Sequence, residues 1–360
     1  MGLIDLVARA ASSRAHVLVA EVPGAFRERV ALERALDRMG WCRADSVADA
    51  DVLAVVGDLG EDFTAVVEHV WAQMSEPRAR VHVRAVADVD RVLDQAREQL
   101  AGDTRRLTES ELRRGFTPSN EPAAEDHGGH EDHGGHEDHG GDGGHDHGAM
   151  MPDGIALAEG AEDRDGLEMD VLHLPLGPVL QHWPAGVVLR VALHGDVVSE
   201  AEVEHLGSGA ATPPTPADAT TRAARLLDAA AAVLSLAGLP SESARARRLR
   251  DRCLDGDLTA GAEVAELRQR VGRARILRWV LDGLVITGRQ GGAEQLNDRL
   301  ADLFERARAA LDGEAPRHVA FGPQALPELV RGQELSAVRL WVAAAMPDLA
   351  EHGSEASTHG

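Results

Sequence analysis

HVLVAEV (16–22), FRERVALERALDRMGW (26–41), ADVLAVVGDL (50–59), FTAVVEHVWAQM (63–74), RVHVRAV (80–86) and DVDRVLDQAREQL (88–100) follow one another near the start of the chain. The first, third and fifth are short β-branched apolar runs. The others carry apolar residues every three or four positions, so the order reads strand, helix, strand, helix, strand, helix. Strands that are apolar on both sides belong inside a parallel sheet, because each crossover lays a helix over a face. The expected fold class begins with a small α/β parallel-sheet domain at 1–105.

Beyond it the composition shifts. From Glu121 the chain turns to Glu, Asp, His and Gly, with EDHGGH, EDHGGH and EDHGGD in tandem. Such a segment cannot form a core, and 106–153 is expected to be a disordered linker. The carboxylate-rich stretch 154–170 reads as a solvated lead-in. Apolar alternation then returns in LEMDVLHLPLGPVL (167–180) and GVVLRVALHGDVVSEAEV (186–203), where the HGD turn predicts a β-hairpin.

A Pro and Thr-rich hinge at 211–216 precedes helical patterns at 220–238, 243–254, 262–284 and 293–313. In the third, Val264, Leu267, Val271, Ala274, Leu277, Leu281 and Leu284 share one expected helix face. A last helix is expected over 327–345. The second part, 154–350, is thus an α+β domain of hairpin plus helical bundle, followed by a polar tail at 351–360. The two halves are expected to pack on each other.

Sixty acidic residues against 37 basic ones give a net charge of -23, which argues against a nucleic-acid partner. The N-terminal stretch has no long apolar core after a basic start, and no apolar run approaches the roughly 20 residues of a membrane span. A cytoplasmic location is expected, with at most peripheral membrane contact made through partners. Two cysteines, Cys42 and Cys253, imply no disulfide framework.

His127, His130, His133, His136, His139, His145 and His147 sit among eight carboxylates between Glu125 and Asp146. Neutral imidazoles suit Ni and Zn, and glycine pairs let the backbone wrap an ion. We expect micromolar or tighter Ni or Zn binding, released as pH falls through the imidazole pKa of about 6.5. Calorimetry on a chain lacking 127–147 should show the binding abolished; an unchanged stoichiometry would place the site elsewhere.

ADVL at 50–53, Gly57 and VWAQMSEPR at 70–78 resemble the small, cluster-bearing subunit of respiratory complex I and its membrane hydrogenase relatives. That family follows an ADVLVVAG-type strand with a helix ending in a D-Q-M-P-E-P-R/K-type turn. LGP at 176–178 and the stretch 186–205 resemble the N-terminal hairpin of the partner large subunit, which lines a quinone pocket. The stretch 326–349 resembles that subunit's closing helix.

The resemblance implies the fold, a docking surface at Trp71, Gln73, Met74, Glu76 and Pro77, and partners among other complex I-like or hydrogenase-like subunits. It also marks His182, in the loop of Gln181, His182, Trp183, Pro184 and Ala185, as the candidate cofactor-binding residue. The family's loop histidine corresponds to Ala185, and the quinone-binding tyrosine has no counterpart because the chain has no tyrosine. A cubane cluster needs four thiolates, and a nickel–iron site needs two C-x-x-C pairs. With two cysteines, no redox cofactor and no independent catalysis are expected. The expected function is an accessory or structural subunit of an NADH-quinone oxidoreductase-like assembly. The alternatives are a Ni or Zn storage or delivery protein, and an oxidoreductase subunit that uses a partner's cluster.

Overall fold

A computed structural model describes residues 14–115, 159–162, 168–209, 217–287, 293–314 and 323–356. The first half runs β1 (His16–Glu21), α1 (Phe26–Met39), β2 (Cys42–Arg43), β3 (Val52–Val56), α2 (Glu61–Gln73), β4 (Ala79–Val83) and α3 (Val89–Gly115). All three strand pairings are parallel, in the order β2-β1-β3-β4. Central β3, VLAVV, is buried at every position, as its unbroken apolar run requires. Helix α3 continues past the boundary drawn at residue 105 to Gly115.

The second half opens with a four-stranded antiparallel sheet, β5 (Glu159–Glu162), β6 (Glu168–Leu176), β7 (Val187–His194) and β8 (Val197–His205), in sequence order. The expected hairpin is β7–β8, closed at Gly195 with φ +64°. The sheet is wider than a hairpin because the carboxylate-rich lead-in supplies β5 and the start of β6. A short edge strand pairs on one side only, so it forms without the apolar stripe that betrays an inner strand.

The helices are α4 (Ala219–Leu236), α5 (Pro240–Leu254), α6 (Gly261–Arg273), α7 (Arg275–Leu281), α8 (Leu296–Leu311), α9 (Leu326–Val330) and α10 (Leu335–Ala356), with a β9 (Val285–Thr287) and β10 (Ala293–Gln295) ribbon before α8. Helix α4 is the axis of the bundle and packs against α5, α8 and α10. Its alanines 223, 224 and 229–232 are all buried, and their small size lets neighbouring backbones approach on every side. Asp218 caps it by accepting the Thr221 backbone N–H at 2.7 Å, which holds that carboxyl down at about 2.

Two expected helices are broken. The pattern over 262–284 divides at Ala274, which takes extended ψ 107° two residues after Gly272, a poor helix former. Val264, Leu267 and Val271 are buried from α6 and Leu277 and Leu281 from α7, while Ala274 and Leu284 are half-buried. The expected 327–345 helix divides at Gly332, whose φ of +77° no helix accommodates. Its N–H donates to the Val198 carbonyl at 2.7 Å and stitches the α9–α10 turn to β8.

The halves meet across α1. Leu32, Ala35 and Leu36 pack into the parallel-sheet core, whereas Phe26 and Val30, on another side of the same helix, join the core of the bundle. At the opposite margin the Gly209 N–H donates to the Asp58 carbonyl at 2.9 Å, and Leu59 bridges Ser208. Backbones come that close because a Cβ on Gly209 would stand 2.2 Å from the Leu59 carbonyl oxygen. Among the described residues no helix is long and apolar enough to cross a membrane.

Candidate functional site

Between the first-half sheet and α4 lies a cavity of about 60 Å3 lined by Arg29, Glu33, Asp228 and Arg250, four of the buried charged side chains among the described residues. Helix α1 contributes Arg29 and Glu33 one turn apart, β1 contributes Glu21, and β2 contributes Arg43. From the second half come Asp228 on α4 and Arg247 and Arg250 on α5. The loop from β6 to β7 closes it with Gln181, His182 and Trp183.

These groups form one ionic lattice across the seam. Arg29 contacts Glu21 at 2.7 Å, Glu33 at 2.7 Å and Asp228 at 2.5 Å. Arg250 contacts Glu33 at 2.7 Å and Asp228 at 2.6 Å, and Arg43 adds a 2.9 Å pair to Glu33. Arg250 is 2% exposed and Asp228 8%. Isolated charges there would cost several kcal/mol each, so Arg29, Glu33, Asp228 and Arg250 persist because each contacts opposite charges. Arg247 lines the cavity with no ion pair among the described residues, and burial, then the Arg43 charge, lowers its pKa.

Burial alone would raise the Glu33 carboxyl, but Arg29, Arg250 and Arg43 outweigh it and hold the group well below its usual range. Asp228 is lowered in the same way by Arg29 and Arg250. Glu21 goes the other way: burial, with Asp228 and Glu33 nearby, outweighs its single arginine. On the wetter flank of the seam, Arg34 holds Asp255 bidentately at 2.8 and 2.9 Å. Solvent screens that pair, and its contribution is about 0–1 kcal/mol.

His182, marked from the sequence, does reach this seam. It sits in the left-handed region at φ +60° and is held by the loop around it. The Trp183 indole N–H donates to the Val187 carbonyl at 2.7 Å, and Gly177 gives the indole room, since a Cβ there would stand 2.2 Å from that nitrogen. Burial first, then the Arg43 charge, pushes the imidazole down to about 4. At neutral pH His182 is therefore uncharged and can donate one hydrogen bond and accept one.

This has a consequence for stability. Between pH 4 and 6.5 the unfolded chain takes up a proton at His182 that the folded chain refuses, so stability falls as pH drops through that window. His182→Asn keeps a residue type tolerant of positive φ and removes the titration. Urea unfolding of both chains should give a wild-type loss about 3 kcal/mol larger on going from pH 7 to pH 4. Parallel pH profiles would show that His182 is solvated.

The sequence also placed Trp71, Gln73, Met74, Glu76 and Pro77 at a docking turn. Gln73 and Glu76 are exposed, but Met74 is buried in a cluster that includes Val188 and Leu206 from the second half. Arg78 lies over the Trp71 ring at 4.3 Å and donates to the Trp71 and Met74 carbonyls, which closes the end of α2. The turn thus serves the seam from inside. The seven histidines from His127 to His147 lie outside the described residues.

Cys42 is exposed on β2, while Cys253 is buried in α5, where burial pushes its thiol up to about 11, and the two lie in different halves of the chain. The lattice residues Arg29, Glu33, Asp228 and Arg250 were not singled out from the sequence. One signal was present: Asp228 is the lone carboxylate inside LLDAAAAVLSL, and a charge buried in such a helix demands a partner. No family model, curated protein or solved structure matches this chain.

Proposed function

We propose that this chain is a single-chain counterpart of the small and large subunit pair of the complex I and hydrogenase family, keeping the docking of the two halves without redox chemistry of its own. It serves as an accessory or structural subunit of an oxidoreductase-like assembly. The observation that carries this reading is the seam. Where the resemblance would juxtapose a cluster-bearing sheet domain and a quinone-lining hairpin loop, this chain has interlocked carboxylates and guanidiniums around about 60 Å3 of space. That is well below the roughly 300 Å3 at the small end of ligand pockets. The alternative reading is Ni or Zn storage or delivery by His127, His130, His133, His136, His139, His145 and His147.

Expression of the full chain with iron and sulfide in excess tests the reading. Purified protein should carry no stoichiometric iron and no visible charge-transfer band, should fail to oxidise NADH with a short-chain quinone, and should co-purify from its native host with oxidoreductase subunits. About four irons per chain, or quinone reduction by the isolated protein, would sink it.

A further inference from the structure

Helix α7 has an apolar face that the bundle does not use. Leu277 and Leu281 turn into the core, but Ile276 is 67% exposed, Trp279 83% and Val280 37%. Positions 276, 279 and 280 follow the i, i+3, i+4 spacing of one helix side, distinct from that of Leu277 and Leu281. Exposed apolar groups gathered on one side mark an interaction surface, whereas single ones do not.

The chemistry around this face is basic in an acidic protein. From Arg268 to Leu281 there are five arginines and no carboxylate, in a chain of net charge -23. Arg268 is paired with Glu305 at 2.8 Å. Arg270, Arg273, Arg275 and Arg278 are exposed, and no described carboxylate lies within ion-pair distance of them. Arg270 also lines a groove of about 350 Å3 with Arg245 and Arg248, against Glu263 and Glu266.

A tryptophan beside an isoleucine, with guanidiniums on the flanks, matches the boundary between lipid headgroups and acyl chains. The indole is amphipathic and the arginines meet phosphates. A helix of this length lies in that plane without crossing it. The acidic bulk of the protein does not forbid the approach, since charges more than about 10 Å away are screened at 0.1 M salt. We propose that α7 docks this protein directly on an anionic lipid surface, Trp279 and Ile276 entering the headgroup boundary.

Co-sedimentation of the full chain with phosphatidylcholine vesicles, with and without phosphatidylglycerol, tests this. Binding is expected on the mixed vesicles alone and should weaken as salt rises. Trp279→Ala, at an exposed position that leaves the fold intact by circular dichroism, should weaken it about tenfold. Arg275→Glu with Arg278→Glu should weaken it at least about tenfold and flatten the salt dependence. The proposal fails if the chain does not sediment with mixed vesicles at low salt, or if both variants bind as the parent does. It fails equally if Trp279→Ala instead dissolves a dimer seen by analytical ultracentrifugation or releases a co-purifying protein while vesicle binding is absent.

Discussion

Arg250→Met should lower the unfolding free energy by about 3–5 kcal/mol. The methionine fills most of the arginine's volume, so little of the cost is a cavity. What remains is Glu33 and Asp228, each losing a contact of 2.6–2.7 Å from a guanidinium that is 2% exposed. Three carboxylates, Glu21, Glu33 and Asp228, then share Arg29 and Arg43. Against a total stability of about 5–15 kcal/mol, such a loss brings the chain close to unfolding at room temperature.

The same argument gives the control. Replacing Arg29, Glu33, Arg43, Asp228 and Arg250 together by apolar residues of similar size, with Glu21→Gln, should recover most of the loss, since no member of the lattice is left without its partner. Denaturant titration of the parent, the single variant and the replaced set checks both halves of the argument. A loss under about 1 kcal/mol for Arg250→Met would mean that water reaches the lattice.

Gly186→Ala should cost about 2–5 kcal/mol, by steric and not electrostatic means. Gly186 has φ +73°, where an alanine is disfavoured by about 1–2 kcal/mol. In addition the new methyl would stand 2.4 Å from the Pro23 side chain, in the other half, and 2.6 Å from the Leu206 carbonyl oxygen. Overpacking of this kind adds about 1–3 kcal/mol. Gly195→Ala separates the two contributions, because Gly195 has φ +64° with nothing within 4 Å of a built Cβ. Chemical unfolding should place Gly195→Ala near 1–2 kcal/mol and Gly186→Ala well beyond it. Equal losses would show that the Pro23 contact yields.

Three of the four strands and the three helices of the first half could be read from the sequence because each announces itself locally: VLAVV is apolar at every position, and FRERVALERAL repeats every three or four. The β7–β8 hairpin was legible for the same reason. Strand β2, Cys42–Arg43, was not legible, because two residues carry no period and owe their place to β1. Nor was strand β5, because EGAE has no apolar period and owes its place to its β6 partner. Helix periodicity also ran through Ala274 undisturbed, although the backbone turns there.

The ionic lattice was least legible. Arg29 and Glu33 sit where an amphipathic helix normally faces water, and their burial depends on Asp228 and Arg250 about two hundred positions away. His182 was reached through a resemblance, and its neighbours in space come from four different elements that no local pattern connects. Pairwise chemistry across such distances leaves a one-sided trace at best, of which Asp228 among its alanines is the example.

Helix α1 belongs to two cores at once, and synthesis of the chain proceeds in one direction. Arg29 leaves the ribosome 199 residues ahead of Asp228, roughly 10–40 s at ordinary elongation rates. Throughout that interval Phe26 and Val30 have a sheet behind them and no bundle in front. The nascent N-terminal portion is therefore a provisional species, sticky along one helix, whose maturation is timed by translation.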